Sequence, residues 1–380
     1  MQTFKIALLA AAAALGLAGA ETAHADALAS PAMTPPLAAN PNPLSVDAGP
    51  LGKVFVSGQV TGVALAQDHE VPGDHQNTAD FTNAQVEVQK TDGAFQFYVQ
   101  AGTYSLPSLG APYVRSSTLP KETFGSVPVA YIKLVPNAEF SIMIGKLPTL
   151  IGAEYIFSFE NMNVARGLLW NQEPVVSRGV QVNYTKGPLA VSVALTDGFY
   201  SEKYSTGSAL ITYTVSPADT LAFAASGNFN KQNTSTFATP IAQNNSQIYN
   251  LMWTHTQGPW VVTPYLQFTS VPKITKFGIP HEASTTSGAV LAKFTVNPEF
   301  SIAGRAEYIS SSGSGVSLLY GPGSAAWSLT ITPTYQVKTF FIRGELSYTG
   351  LDSITPGSGF GKNGNAKEQT RAMLETGILF

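Results

Sequence analysis

"EFSIAGRAEYIS" (residues 299–310) alternates strictly: Phe300, Ile302, Gly304, Ala306 and Tyr308 share one face, and Ser301, Ala303, Arg305 and Glu307 the other. A period of two is the signature of a β-strand with unlike faces. The same alternation runs through "PLAVSVALTDG" (188–198), "PWVVTPYLQFTS" (259–270) and "TFFIRGELSYTG" (339–350). It also runs through the last ten residues, "RAMLETGILF" (371–380), where Ala372, Leu374, Thr376, Ile378 and Phe380 form one row. Arg371, Met373, Glu375, Gly377 and Leu379 form the other.

Between such runs lie short turn signals: Thr91-Asp92-Gly93, Pro136-Asn137, Lys186-Gly187-Pro188, Ser216-Pro217-Ala218-Asp219, Gly258-Pro259, Asn297-Pro298 and Val337-Lys338-Thr339. These join strands as tight hairpins. Two hairpins echo each other in sequence, "NAEFSIMIG" (137–145) and "NPEFSIAGR" (297–305). Sixteen strands are expected, at 53–67, 82–90, 94–104, 126–135, 139–147, 175–186, 188–197, 206–215, 219–229, 246–257, 259–270, 284–296, 299–310, 325–337, 339–350 and 368–380. Seven connections are tight and eight are long. That alternation fits an antiparallel up-and-down transmembrane β-barrel, short turns at one rim and long loops at the other, with both chain ends on the short-turn side.

Composition separates a barrel in lipid from a soluble β-protein. Charged residues make up 12% of the 380, net charge −3, about half the usual share for soluble domains. Mean hydropathy is nevertheless only +0.07, because Ser, Thr, Asn, Gln and Gly fill the gap. So few charges cannot solvate the outside of a soluble protein of this size. The near-zero net charge argues against a nucleic-acid partner, which would need a basic face. Cysteine is absent, which removes disulfides and thiolate chemistry. Aromatic residues follow the tight turns (Phe95, Phe140, Trp260, Phe300, Phe340, Phe341), and others sit toward the far strand ends (Tyr104, Tyr308, Tyr348). Two such belts are expected at the two membrane interfaces.

Residues 1–25 read as a secretory signal peptide, with Lys5 ahead of "IALLAAAAALGLAGA" (6–20) and "AHA" (23–25) at the cut. Residues 26–52 are rich in Pro and Ala and read as a flexible periplasmic leader. The barrel is expected over 53–380, with no transmembrane helix in the mature chain, since no later run reaches the roughly 20 apolar residues a membrane helix needs.

The connection 148–174 is the longest of the eight, and its Tyr155, Phe157, Phe159 and Trp170 would be costly in water. Long loops of this kind are usually functional, and folding into the lumen would hide those rings. The expected constriction then carries Glu154, Glu160, Arg166 and Glu173. By parity the lumen wall is expected to carry Glu87, Lys146, Lys293, Arg305, Glu307, Arg343, Glu345, Arg371 and Glu375. Rings of charge set ion preference in a pore, and these bases and acids nearly balance, so weak selectivity is expected.

Enzyme signals are weak. No G-x-S-x-G occurs, and "PGSGFGKN" (356–363) departs from a phosphate loop at Pro356 and Asn363. His69 and His75, among Asp68, Glu70 and Asp74, read as a solvated polar loop, not a metal site. No cofactor is expected.

The segments "GKLPTLIGAE" (145–154), "ENMNVARGLLW" (160–170) and "EPVVSRGVQV" (173–182) resemble the beta-barrel porin-2 (OmpL-like) family of outer-membrane porins. Ala165 stands where that family carries Ser. The resemblance implies a Gram-negative outer membrane, lipid around the barrel, passive diffusion of small hydrophilic solutes through a water-filled lumen, and a homotrimer. The rival expectation is a non-channel barrel, a structural protein or adhesin with a plugged lumen. A closing strand that ends on an aromatic residue also resembles the signal read by outer-membrane assembly machinery, which gives Phe380 that expected role.

Overall fold

The computed structural model describes residues 36–40, 42–312 and 319–380; the expected signal peptide lies outside them. A short strand β1 (Leu44–Asp47) precedes sixteen long ones: β2 (Lys53–Gln67), β3 (Asn77–Lys90), β4 (Phe95–Tyr104), β5 (Val129–Asn137), β6 (Phe140–Pro148), β7 (Val176–Lys186), β8 (Leu189–Thr196), β9 (Thr206–Thr214), β10 (Asp219–Asn228), β11 (Gln247–Gln257), β12 (Trp260–Val271), β13 (Ala283–Asn297), β14 (Phe300–Ser311), β15 (Ala325–Val337), β16 (Phe340–Asp352) and β17 (Glu368–Leu379). Each of the sixteen pairs antiparallel with the next. The ring closes where β17 pairs with β2, from Arg371 opposite Gln67 to Leu379 opposite Gln59. Closure leaves no long unpaired edge to recruit another strand. The expected strand at 82–90 starts earlier, at Asn77, and the one expected at 126–135 runs from Val129 to Asn137.

Beyond Phe380, β1 takes over the same edge of β2. Phe380 exchanges two backbone hydrogen bonds with Gly58, each 2.8 Å, and Leu44 lies opposite Val56 two residues further on. Upstream, the Leu37 N–H donates to Phe159 O at 3.0 Å. Its side chain is buried against Phe341 and Leu379. The segment read as a flexible leader thus holds a strand and, nearer the start, a residue lodged in the barrel mouth.

Burial alternates as the pattern requires, with its sense inverted relative to a soluble sheet. The polar rows are buried inside, and the apolar rows, such as Ile132 and Leu134 or Val193 and Leu195, face outward. Only a hydrocarbon surround makes that arrangement favourable. Thr376, the polar member of the outer row of β17, donates its hydroxyl to Phe341 O at 2.9 Å. Two residues expected in the aromatic belts face inward instead: Phe341 meets Leu37, and Tyr104 packs edge-on against Phe157 at 5.4 Å.

A bulge in β2–β3 shifts the register between Thr61 and Gly62, so Asn83 and Phe81 face them and Thr82 is the extra residue. Bulges re-aim side chains. Here Phe81 points out and both Thr82 and Asn83 point in, where they meet the loop described next.

Candidate constriction site in the barrel lumen

The connection between β6 and β7, residues 149–175, does not project into water. Most of it is buried inside the ring. Its local shape comes from short-range capping. Glu160 accepts the Phe157 N–H at 2.9 Å and closes the 3-10 turn Ser158–Glu160. Asn161 accepts the Tyr155 N–H at 2.7 Å and donates to Phe157 O at 2.6 Å.

An irregular chain inside a barrel has a general difficulty. Its N–H and C=O groups lack a ladder, and each one buried without a partner costs about 1–3 kcal/mol. The wall charges answer it, acids taking N–H groups and bases taking carbonyls. Glu345 accepts from Val164 and Ala165 at 2.6 and 3.0 Å. Glu307 accepts from Leu168 at 3.1 Å. Arg343 donates to Asn161 O and Ser158 O at 2.8 and 2.6 Å, and its guanidinium pairs with Glu375 at 2.6 Å. Glu375 in turn accepts from the Ser158 hydroxyl at 2.6 Å and from the bulge residue Thr82 at 2.5 Å. Arg305 donates to Ala165 O at 2.8 Å and pairs with Glu154 at 2.6 Å and Glu307 at 3.1 Å. Further along the wall, Gln267 donates to Leu169 O, Thr285 to Gln172, and the loop's Gly152 N–H to Asn250. The fastening runs over β11 to β17.

The four expected constriction residues therefore do different things. Glu154 is the ionic link to the wall and also accepts the Gly167 N–H at 2.8 Å. Glu173 takes the Tyr265 hydroxyl and lies over Gly152, where a Cβ would sit 1.8 Å from its carboxylate. Glu160 caps its own turn. Arg166 is fully buried and stacks on Trp170 at 5.2 Å, yet none of its three side-chain nitrogens finds a protein acceptor. Burial pushes the carboxyls of Glu160 and Glu173 up to about 8 and that of Glu154 up as well, and it pulls Arg166 down to about 10.

Of the nine expected wall residues, Arg305, Glu307, Arg343, Glu345 and Glu375 hold this loop. Arg371 reaches the second outer connection instead, donating to Ser108 O at 2.7 Å and Ala111 O at 3.2 Å. Glu87 is buried on β3, 3.3 Å from the Ser57 hydroxyl. Lys293 is half-buried on the inner row. Lys146 does not line the lumen. It shares the outer row of β6 with Ile142 and Ile144, and its ammonium bends to Phe124 O and Val127 O at 3.0 and 2.8 Å at the rim. Inward-facing Ser141, Met143 and Leu147 have the opposite parity.

The second connection, residues 105–128, is a feature the sequence reading missed. Its backbone joins the longer loop at Arg166, whose N–H donates to Pro107 O and whose carbonyl accepts from Leu109, both at 2.9 Å. Leu109 and Tyr113 are buried with the longer loop's apolar residues. The signal was present: "LPSLGAPYV" (106–114) is as apolar as the segment that was singled out.

A family model described as "Putative beta-barrel porin-2, OmpL-like" matches residues 53–380. No curated protein matches the sequence. Among solved structures the chain is similar to an anion-selective porin from Comamonas acidovorans, at 10% identity and TM-score 0.61, covering 86% of this chain and 99% of that one. It is similar too to in-vitro folded OmpT of Vibrio cholerae, at 11% identity and TM-score 0.59, over 89% and 100%. The outer-membrane channel DcaP of Acinetobacter baumannii matches at 12% identity and TM-score 0.57, over 86% and 97%. At such identities these likenesses speak for the fold, whereas the family match spans the whole barrel: the chain belongs to the putative beta-barrel porin-2, OmpL-like family, a sixteen-stranded barrel of the Gram-negative outer membrane.

Proposed function

We propose that the barrel is a passive channel for small hydrophilic solutes, with residues 149–175 as its constriction. One observation carries this reading: the loop is bound along the inner rows of β11 to β17 through its own backbone. A loop held to one side of a ring narrows the passage and leaves the other side to solutes. The mechanism is steric sieving with an electrostatic bias, and no covalent step or cofactor enters it. Trimer assembly belongs to this reading through family kinship alone. Phe380, on the outer row at the seam, is the proposed assembly signal.

A second reading has its own support. The loop also touches β3, where Asn83 donates to the Ser158 hydroxyl at 2.9 Å, and β4 through the Tyr104–Phe157 contact. Contacts on that side too favour a plugged, non-channel barrel. Planar-bilayer recording of the purified, refolded protein separates the two. Discrete conductance steps are expected of the channel; a correctly folded barrel with none is the plugged one.

A further inference from the structure

From β4 to β13 the strands carry seven Lys, Arg, His, Asp or Glu residues: Lys133, Lys146, Arg178, Lys186, Asp219, His255 and Lys293. Burial alternation puts five of them on the outer rows and leaves Lys133 and Lys293 facing in. Both are half-buried, and neither has an acidic partner among the described residues. The inner-row charges of β14 to β17 form no comparable free set, since acids and bases there are bound to each other and to loop backbone.

The two lysines are also related by sequence. "KLVPNAEFSI" (133–142) and "KFTVNPEFSI" (293–302) match at Lys, Asn, Glu, Phe, Ser and Ile, extending the hairpin echo upstream. Both hairpins fold alike. Asn137 and Asn297 each accept the N–H of the Glu two residues on at 3.0 Å, and each pairing slips register just before the Asn. Each lysine thus stands four residues before its turn, at one height above the short-turn rim. In the ring of sixteen that begins with β2, β5 is fourth and β13 twelfth. Eight strands apart is half the circumference, so the two ammonium groups stand on opposite walls. Inner-row neighbours are Gln96 and Met143 beside Lys133, and Val261 and Ala303 beside Lys293. None of these offsets the charge.

We infer that this opposed lysine pair makes the short-turn half of the lumen an anion filter. The inference rests on the channel reading. The solutes it favours are small hydrophilic anions, which meet a cation on both walls. Like charges on the low-dielectric walls of one passage raise the local concentration of counter-ions and repel co-ions. With the loop-fastening groups set aside and Lys146 outside, the expected wall keeps Lys293 and one acid, Glu87 on β3, bonded to Ser57; Lys133, absent from that wall, tips this half of the lumen to two bases against one acid.

The test is the reversal potential of the refolded full chain in planar bilayers under a KCl gradient, for wild type, K133Q, K293Q and the double variant. Heat-modifiable gel mobility confirms that each barrel is folded. Wild type should pass chloride severalfold better than potassium. Each single variant should lose part of that preference, and the double variant nearly all. The preference should weaken from 0.1 M to 1 M salt, as the screening length falls from about 10 Å to about 3 Å. A wild type without chloride preference, or a double variant that keeps it, overturns the inference and leaves the channel standing. Folded protein with no conductance overturns the channel reading and this inference with it.

Discussion

Arg305 on β14 is held to Glu154 in the loop at 2.6 Å, although the two stand 151 positions apart in the sequence. The same guanidinium bonds Ala165 O and Glu307, so one wall residue satisfies a loop acid, a loop carbonyl and a wall acid together. Pairs of this kind explain why charged residues persist in a membrane-embedded lumen.

Breaking that pair from one side should be worse than removing both charges. Arg305→Met leaves Glu154 and Glu307 buried and uncompensated, an expected loss of roughly 3–5 kcal/mol. The double change Arg305→Met/Glu154→Gln should lose less than Arg305→Met alone. Denaturation followed by heat-modifiable mobility checks the cycle; a double variant as unstable as the sum of the singles contradicts direct coupling.

Arg166 should behave in the opposite way. It is as buried as Arg305, but its nitrogens have no protein partner, only the Trp170 ring. Its desolvation goes unanswered, so Arg166→Met should change stability by less than about 1 kcal/mol or raise it. A loss comparable to that of Arg305→Met would mean that the guanidinium is bonded in the folded protein.

The docked loop should loosen as pH rises. Glu160 and Glu173 lie in the connection, outside the spanning strands, and burial raises both to about 8, whereas free glutamate titrates at about 4.3. The docked state therefore binds more protons than a released loop. Its stabilisation is fully present below about pH 4.3 and is lost as pH rises through about 8. Single-channel noise should increase between pH 5 and pH 9, and Glu160→Gln/Glu173→Gln should flatten the response. An unchanged rise in that double variant would place the titration elsewhere.

Phe380 offers a test of assembly as distinct from stability. Its backbone closes on Gly58 at 2.8 Å in both directions, and its ring lies so close that a Cβ on Gly58 would be 2.8 Å from it. If the ring is an assembly signal, Phe380→Ala should lower the folded fraction in cells severalfold while detergent refolding changes little. Equal losses in both settings would make its role structural alone.

The sixteen strands were legible because alternation is local, and the tight turns punctuate it. The loop's inward course was legible too, since Phe157 and Trp170 need burial wherever they go. Partners were not legible. Nothing near Glu345 in sequence says that its oxygens meet the N–H groups of Val164 and Ala165, because neutral backbone leaves no compositional trace. Lys146 departs from the expected wall for a simpler reason: its parity is that of Ile142 and Ile144, which puts it on the outer row, at a rim where its stem reaches loop carbonyls. Lys133, on the inner row with Tyr131, is missing from the expected wall, and counting the fastening groups as free hides the weight of Lys293.

The most direct measurement is the single-channel conductance of the refolded barrel with and without residues 154–170. That deletion removes Glu154, Glu160, Arg166 and the backbone held by Arg305, Glu307, Arg343 and Glu345, while leaving the sixteen strands intact. If the loop is the constriction, the folded deletion variant conducts in larger steps than wild type. Steps of unchanged size from a folded deletion variant would contradict the account.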